Sequence, residues 1–247
     1  MTVAAAGPVA LVTGAARRIG RAISLEMAAA GVAVAAHYRS SPTEAAAVVR
    51  AIVDSGGRAQ AFAADLSTAP GARGLARAVL ACWGRVDVLV NNASIFVSTS
   101  LDSDSADDVD DALRRAFGIH VAAPLALVHE LAPAMRAVGR GAVVNVGDAC
   151  RRRADHAPYL ASKAALESLT RTLARDLAPE IRVNMVAPGS ILPPAATTAD
   201  ATAGLVPRIP AGRLGAVDEV ARVVRFLALG PEFVSGQIVA VDGAQYA

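Results

Sequence analysis

Seven short apolar runs recur along the chain: PVALVTG, GVAVAAHY, RAQAFAAD, VDVLVNNAS, GAVVNVGD, IRVNMVAPG and GQIVAVDG. Most are apolar almost without interruption rather than alternating, the pattern of strands covered on both faces. Between them lie longer stretches with helical spacing, near residues 19–30, 43–55, 71–83, 107–138, 159–177 and 217–229. Such regular alternation predicts an α/β protein with a doubly wound, seven-stranded parallel sheet, helices on both faces and right-handed crossovers. No Pro/Gly/Ser-rich linker interrupts the pattern, so residues 1–247 read as a single domain.

Sheets of this kind bind ligands beyond the carboxyl ends of their strands, where strand order reverses. Thr13, His37, Asp65, Asn91, Asp148 and Pro188 fall at those ends. The first strand runs into TGAARRIG, residues 13–20. Gly14 can take backbone angles that other residues avoid, and Gly20 allows close packing of the following helix on the strand. The helix N-terminus between them offers free N–H groups and a positive dipole to a pyrophosphate. This is the turn of a Rossmann-type dinucleotide fold, with Arg18 standing where a middle glycine is usual.

The second strand ends in HYRSS, residues 37–41, with no carboxylate before Glu44. An acidic side chain there would accept from a ribose 2′-hydroxyl; positive groups instead accommodate a 2′-phosphate. Arg39 supplies a planar donor fork, and His37 and Ser40 add shorter donors, so NADP(H) is expected over NAD(H).

Composition narrows the class. Lys plus Arg number 24 against 22 Asp plus Glu, a balance without the basic stripe of a nucleic-acid binder. Two cysteines, Cys82 and Cys150, are too few for a disulfide framework. The opening MTVAAAGPVALV lacks a basic n-region and reads as a disordered start plus the first strand. No apolar run reaches about 18 residues without a charge, glycine or proline, so no membrane partner is expected and the cytoplasm is the expected location. The acidic segment 102–111 reads as a solvated helix start. The Pro/Ala/Thr-rich segment 189–212 is longer than an ordinary connection and reads as a substrate loop or lid.

Tyr159 and Lys163 lie four apart at the start of a predicted helix and so share one face. A nearby ammonium is expected to lower the pKa of the phenol, making it a general acid for reduction. Together with TGAARRIG, NNAS, YLASK and VAPG in this order, the whole chain resembles the short-chain dehydrogenase/reductase family. The resemblance implies a cofactor site of Thr13, Gly14, Arg18, Ile19, Gly20, His37, Arg39, Ser40, Asp65, Leu66, Asn91, Ala93, Ser94, Tyr159, Lys163, Pro188, Gly189 and Ile191. Asn92 would flank the nicotinamide ribose with its neighbours. The resemblance also implies a homotetramer, a dimer of dimers, paired through the helices near 107–138 and 159–177 and through the last strand.

Departures from the family pattern are informative. Asp148 stands where most members carry a catalytic serine, about two residues closer to the tyrosine than usual. His120 stands where many carry a proton-relay asparagine, and it reads either as organising a relay behind Lys163 or as a satisfied core histidine on an apolar helix face. With Arg18, HYRSS, and Phe96 two residues after Ser94, the set resembles the pteridine reductase branch. That resemblance implies reduction of C=N bonds in a pterin, dihydropterin or dihydrofolate-like small molecule. Arg18, Ser94, Phe96, Asp148 and Tyr159 would contact the substrate, and Asp148, Tyr159, Lys163 and His120 would form the catalytic group. Chemistry agrees: a carboxylate repels a forming oxyanion but accepts from the amino and N–H groups of a pterin. No metal site is expected. The run 151–153 reads either as a solvated loop or as an anion clamp for a folate tail or an acidic carrier protein. Two alternatives stand: a carbonyl reductase such as a 3-oxoacyl-acyl-carrier-protein reductase, and a catalytically silent NADP(H)-binding sensor or scaffold.

Overall fold

The computed structural model describes residues 7–150, 152–191 and 204–247. Seven strands form one sheet: β1 (Val9–Val12), β2 (Ala33–Tyr38), β3 (Ala59–Ala63), β4 (Val88–Asn91), β5 (Gly141–Val146), β6 (Ile181–Pro188) and β7 (Ile238–Val241). All neighbours pair in parallel, in the order β3-β2-β1-β4-β5-β6-β7. The helices are α1 (Arg18–Ala29), α2 (Pro42–Asp54), α3 (Ala69–Trp83), α4 (Ala106–Phe117), α5 (Ala123–Ala137), α6 (Ala157–Asp176) and α7 (Val217–Leu229). The expected class, strand count and helix positions agree with this architecture.

Strand alternation explains the two-sided core. Val9 and Leu11 face one apolar cluster with Leu75, Leu127, Leu131 and Leu173, contributed by α3, α5 and α6. Ala10 and Val12 face the opposite cluster with Ile23, Ile52, Val220 and Val224, contributed by α1, α2 and α7. The central strand β1 is wholly buried, whereas the edge strands β3 and β7 are half-buried.

Ser105 caps α4 in a reciprocal box with Asp108, and the acidic residues Asp107 and Asp108 occupy its first turn, where the helix dipole favours them. Between α4 and α5 the helix widens into one π turn, Gly118–Ala122. Among the described residues one helical stretch, Ala106–Ala137, is long and apolar enough to cross a membrane. Its inward face, with Leu127, Leu131 and Met135, is buried in the core.

Strand order reverses at β1, which sits between β2 and β4. The carboxyl ends of β1 and β4 therefore diverge around a crevice, and the residues following them frame the site.

Candidate active site

A cavity of about 660 Å³ runs from the glycine turn to the end of β5, bordered by Gly14, Arg17, Arg18, Ile19, Gly20, Asn92, Ala93, Ser94, Phe96, Asp148, Tyr159, Lys163, Pro188, Gly189 and Ile191. A smaller one, about 210 Å³, shares Gly14, Arg17, Ala93 and Ser94 and continues toward His37, Arg39, Ser40, Ser41, Asp65 and Leu66. The two make one cleft across the switch point.

At the nucleotide end the turn is locked by close approach. Gly14 has φ +64°, and a Cβ at Gly20 would lie 2.0 Å from the Gly14 carbonyl oxygen. Asn92 Nδ2 donates to the carbonyls of Thr13 and Gly14 at 2.8 and 3.2 Å. Thr13 is buried, and its Oγ1 accepts from the N–H groups of Asn92 and Ala93 at 2.9 and 3.0 Å. Thr13 is therefore a strut joining the ends of β1 and β4 rather than a lining residue. Arg18 is held at φ +50°, the glycine conformation, at the start of α1. A non-glycine residue there is strained by about 1 kcal/mol or more, and such strain concentrates at ligand sites.

His37 departs from its expected role. The Gly14 N–H donates to its Nδ1 at 3.0 Å, so Nδ1 carries no proton and Nε2–H donates to the Ala64 carbonyl at 3.1 Å. The ring is buried, and burial holds its pKa below the ordinary imidazole value. Both nitrogens are committed, so His37 shapes the glycine turn and has no donor left for a phosphate. Arg39, Ser40 and Ser41 border the cavity beyond it. Asp65 Oδ1 accepts from the Ser67 N–H at 2.9 Å, and that bond holds the Asp65 carboxyl below its usual pKa. Asn91 is buried beneath the cavity floor and donates to Asn145 Oδ1 at 2.8 Å. Its own Oδ1 is buried with no hydrogen-bond partner among the described residues.

At the chemical end Tyr159 Oη donates to Asp148 Oδ2 at 2.7 Å, while Asp148 Oδ1 accepts from the Cys150 N–H at 2.7 Å. Despite the short spacing in sequence, Asp148 turns into the cavity. Lys163 is buried, donates to the Val146 carbonyl at 2.9 Å, and lies 5.8 Å from the Tyr159 ring centroid. Burial pulls the Lys163 pKa down to about 8, with Asp148 opposing the shift. The expected lowering of the phenol pKa is reversed. Burial first, then the Asp148 carboxylate, push Tyr159 above its ordinary value, because a phenolate would face a carboxylate in a poorly solvated pocket. Phe96, about half exposed, stands over this group with ring centroids 5.0 Å from Tyr159 and 4.5 Å from His156.

A model of the family described as Enoyl-(Acyl carrier protein) reductase matches residues 14–244. An uncharacterized oxidoreductase of Methylorubrum extorquens is 37% identical over 96% of this chain and 97% of its own length. A 3-oxoacyl-[acyl-carrier-protein] reductase of Synechocystis sp. is 34% identical over 95% of each chain. Among solved structures, FolM alternative dihydrofolate reductase 1 from Brucella suis, in complex with NADP, superposes with TM-score 0.89 at 36% identity, covering 98% of this chain and 95% of that one. The chain belongs to the short-chain dehydrogenase/reductase family. Its function is therefore that of an oxidoreductase, and the silent-scaffold alternative is set aside.

As a short-chain reductase it carries one further departure. His120 does not border the cavity; the π turn carries it into the core beside α6. The Ile95 N–H and Ser94 Oγ donate to its Nε2 at 3.3 and 2.8 Å, so the proton sits on Nδ1 and is donated to Ser162 Oγ at 2.7 Å. Ser162 Oγ in turn donates to the Tyr159 carbonyl at 2.6 Å. Burial and the neighbouring Lys163 drive the His120 pKa down to about 2, so the ring stays neutral at any working pH. It makes no hydrogen bond to Lys163 among the described residues. His120 thus positions the loop of Ser94 and Phe96 against α6, in line with the core reading and not with the relay behind Lys163.

The cleft also holds residues absent from the expected set. Arg17 borders both cavities and pairs with Glu44, and a second arginine within the glycine turn was a legible signal. His156 and Leu214 border the larger cavity too, as do Arg153 of the run read as a possible anion clamp and Ser190 and Leu205 of the expected substrate loop. Of the run 151–153, Arg151 lies outside the described residues, as do 192–203 of the expected lid segment 189–212 and residues 1–6 of the expected disordered start.

Proposed function

We propose that the chain is an NADPH-dependent reductase of C=N bonds in a pterin-like ring, with dihydropterin or dihydrofolate as substrate class. Its cofactor is NADP(H). The glycine turn fits a pyrophosphate, the cleft between β1 and β4 fits a dinucleotide, and Arg39 with Ser40 and Ser41 at its far end fits a 2′-phosphate. When bound, that cofactor supplies the hydride.

The observation that carries the reading is the 2.7 Å hydrogen bond from Tyr159 to Asp148. A carboxylate has about four lone-pair sites. Asp148 accepts from the Cys150 N–H and from Tyr159, and its carboxylate, which borders the cavity, is the kind of acceptor that the N–H donors of a pterin edge need. A simple ketone offers no such donors, and its developing oxyanion would face the carboxylate. The raised Tyr159 pKa keeps a proton on Oη, where it is held for a ring nitrogen, and opposes formation of the phenolate needed to oxidise an alcohol. Phe96 supplies an exposed aromatic surface above this pair on which a flat heterocycle can stack. The FolM neighbour adds support, since its name describes it as a dihydrofolate reductase.

A carbonyl reductase is the second reading, favoured by the Synechocystis 3-oxoacyl-[acyl-carrier-protein] reductase. Assembly is read from exposure: Leu113 and Leu125 on α4 and α5, and Phe226 and Leu229 on α7, leave apolar surface of the kind that pairs copies of a chain.

One assay tests the choice. Purified protein with NADPH is offered dihydrobiopterin, dihydrofolate and an acetoacetyl thioester while cofactor absorbance is followed. Faster oxidation with either pterin than with the thioester is expected. Turnover of the thioester alone would replace this reading with the carbonyl one.

A further inference from the structure

We propose that Arg153 binds an anionic group on the substrate, so that the site prefers a pterin carrying a carboxylate tail to one with an uncharged side chain. This deepens the pterin reading and rests on it.

The cavity is bordered by four cationic side chains, Arg17, Arg18, Arg153 and Lys163, against one carboxylate, Asp148. Three of the cations are accounted for. Arg17 and Arg18 belong to the glycine turn that faces the pyrophosphate, and Arg17 is paired with Glu44. Lys163 is buried behind Tyr159, donating to Val146. Arg153 lies elsewhere, with its guanidinium carbon 5.3 Å from the Phe96 centroid. Among the described residues it forms no ion pair with a carboxylate, although Asp148 acts on it electrostatically.

Its position is built rather than loose. Tyr246 lies beside Arg153 and Cys150 and acts on both electrostatically. The tail that carries Tyr246 is anchored in turn: the Ser190 N–H donates to Gln245 Oε1 at 3.1 Å, and the Tyr246 N–H donates to Asp242 Oδ2 at 3.0 Å. Phe96 on one side and Tyr246 on the other place the donor fork at the cavity border, and a guanidinium is suited to bind a carboxylate.

A second group points the same way. His156 packs against Phe96, and its Nδ1–H donates to the Ala154 carbonyl at 2.6 Å. That leaves Nε2 as a bare acceptor, buried and without a partner among the described residues. A ligand lying along Phe96 would pass beside His156, whose Nε2 becomes an acceptor once the packing opens, and then reach the Arg153 cation. Dihydrofolate offers a bridging N–H followed by glutamate carboxylates, whereas dihydrobiopterin offers only hydroxyls.

The test compares kcat/KM for dihydrofolate and dihydrobiopterin, at saturating NADPH, in wild type, Arg153→Gln and Arg153→Lys. The ratio of folate to biopterin is expected to fall about tenfold in Arg153→Gln and to recover in part in Arg153→Lys. Should the glutamine variant not fold, added salt gives the same readout in wild type: KM for dihydrofolate rises and KM for dihydrobiopterin does not. An unchanged ratio, or equal salt responses, overturns the role of Arg153 while leaving pterin reduction standing. Turnover of neither pterin overturns the function on which it rests.

Discussion

Tyr159 gives its phenolic hydrogen to Asp148 across 2.7 Å, joining two residues eleven apart in sequence. The bond couples the carboxylate to the phenol, whose pKa is raised first by burial and then by Asp148. Replacing the carboxylate by a neutral hydroxyl, Asp148→Ser, should lower kcat/KM for a dihydropterin by about a hundredfold or more. The same change should raise reduction of a simple ketone and let alcohol oxidation with NADP+ appear at lower pH. Steady-state rates on both substrates across a pH series check this; parallel losses on pterin and ketone would contradict it.

Lys163 gives a pH dependence of defined sign. Its folded pKa of about 8 lies below the ordinary 10.5, so between these values the unfolded chain holds more protons than the folded one. Stability from this group therefore rises as pH climbs through that window. In cofactor-free protein, the Tm of wild type relative to Lys163→Met should increase from about pH 7 to about pH 10. Calorimetry on the pair isolates the effect, and a falling difference would refute it.

Arg18 inverts the usual helix rule. Glycine is ordinarily about 1 kcal/mol worse than alanine in a helix, but at φ +50° only glycine is unstrained. Arg18→Ala should be less stable than Arg18→Gly by about 1 kcal/mol. Both should lose NADPH affinity to a similar degree. Denaturant unfolding and cofactor titration measure the two quantities separately.

His37 and Arg39 should separate by cofactor. Arg39→Ala should cut the preference for NADPH over NADH by about tenfold. His37→Phe leaves the Gly14 N–H and the Ala64 carbonyl without their partner and should cost about 1–3 kcal/mol of stability. Because it disturbs the shared turn, it should weaken both cofactors and leave their ratio unchanged. A shift in that ratio would restore His37 as a phosphate ligand.

The fold was legible because burial on both faces writes itself into sequence as unbroken apolar runs, and β1, β2, β4 and β5 carry that signature. Tyr159 and Lys163 were legible through their spacing along one helix face, and Arg18 and Phe96 through the family resemblance; all four border the cavity. What sequence concealed were partners brought in from afar. His37 looked like a donor until residues 23 and 27 positions away claimed its two nitrogens. The sign of the Tyr159 shift was misjudged because the ammonium was counted, whereas burial and a carboxylate dominate. Tyr246 left no signal, since nothing local marks it as a neighbour of Arg153 and Cys150.

The steric lock between Gly14, Gly20 and Asn92 has an engineering consequence. With a carbonyl oxygen 2.0 Å from where any Cβ at Gly20 would sit, and an amide already bridging β1 to β4, the glycine turn tolerates no side chain at Gly20. Coenzyme choice must then be rewritten at the tip of β2, residues 39–41, which borders only the smaller cavity. An exchange of that tip should travel as a self-contained cassette, altering which dinucleotide is accepted while the Asp148–Tyr159 couple keeps its chemistry.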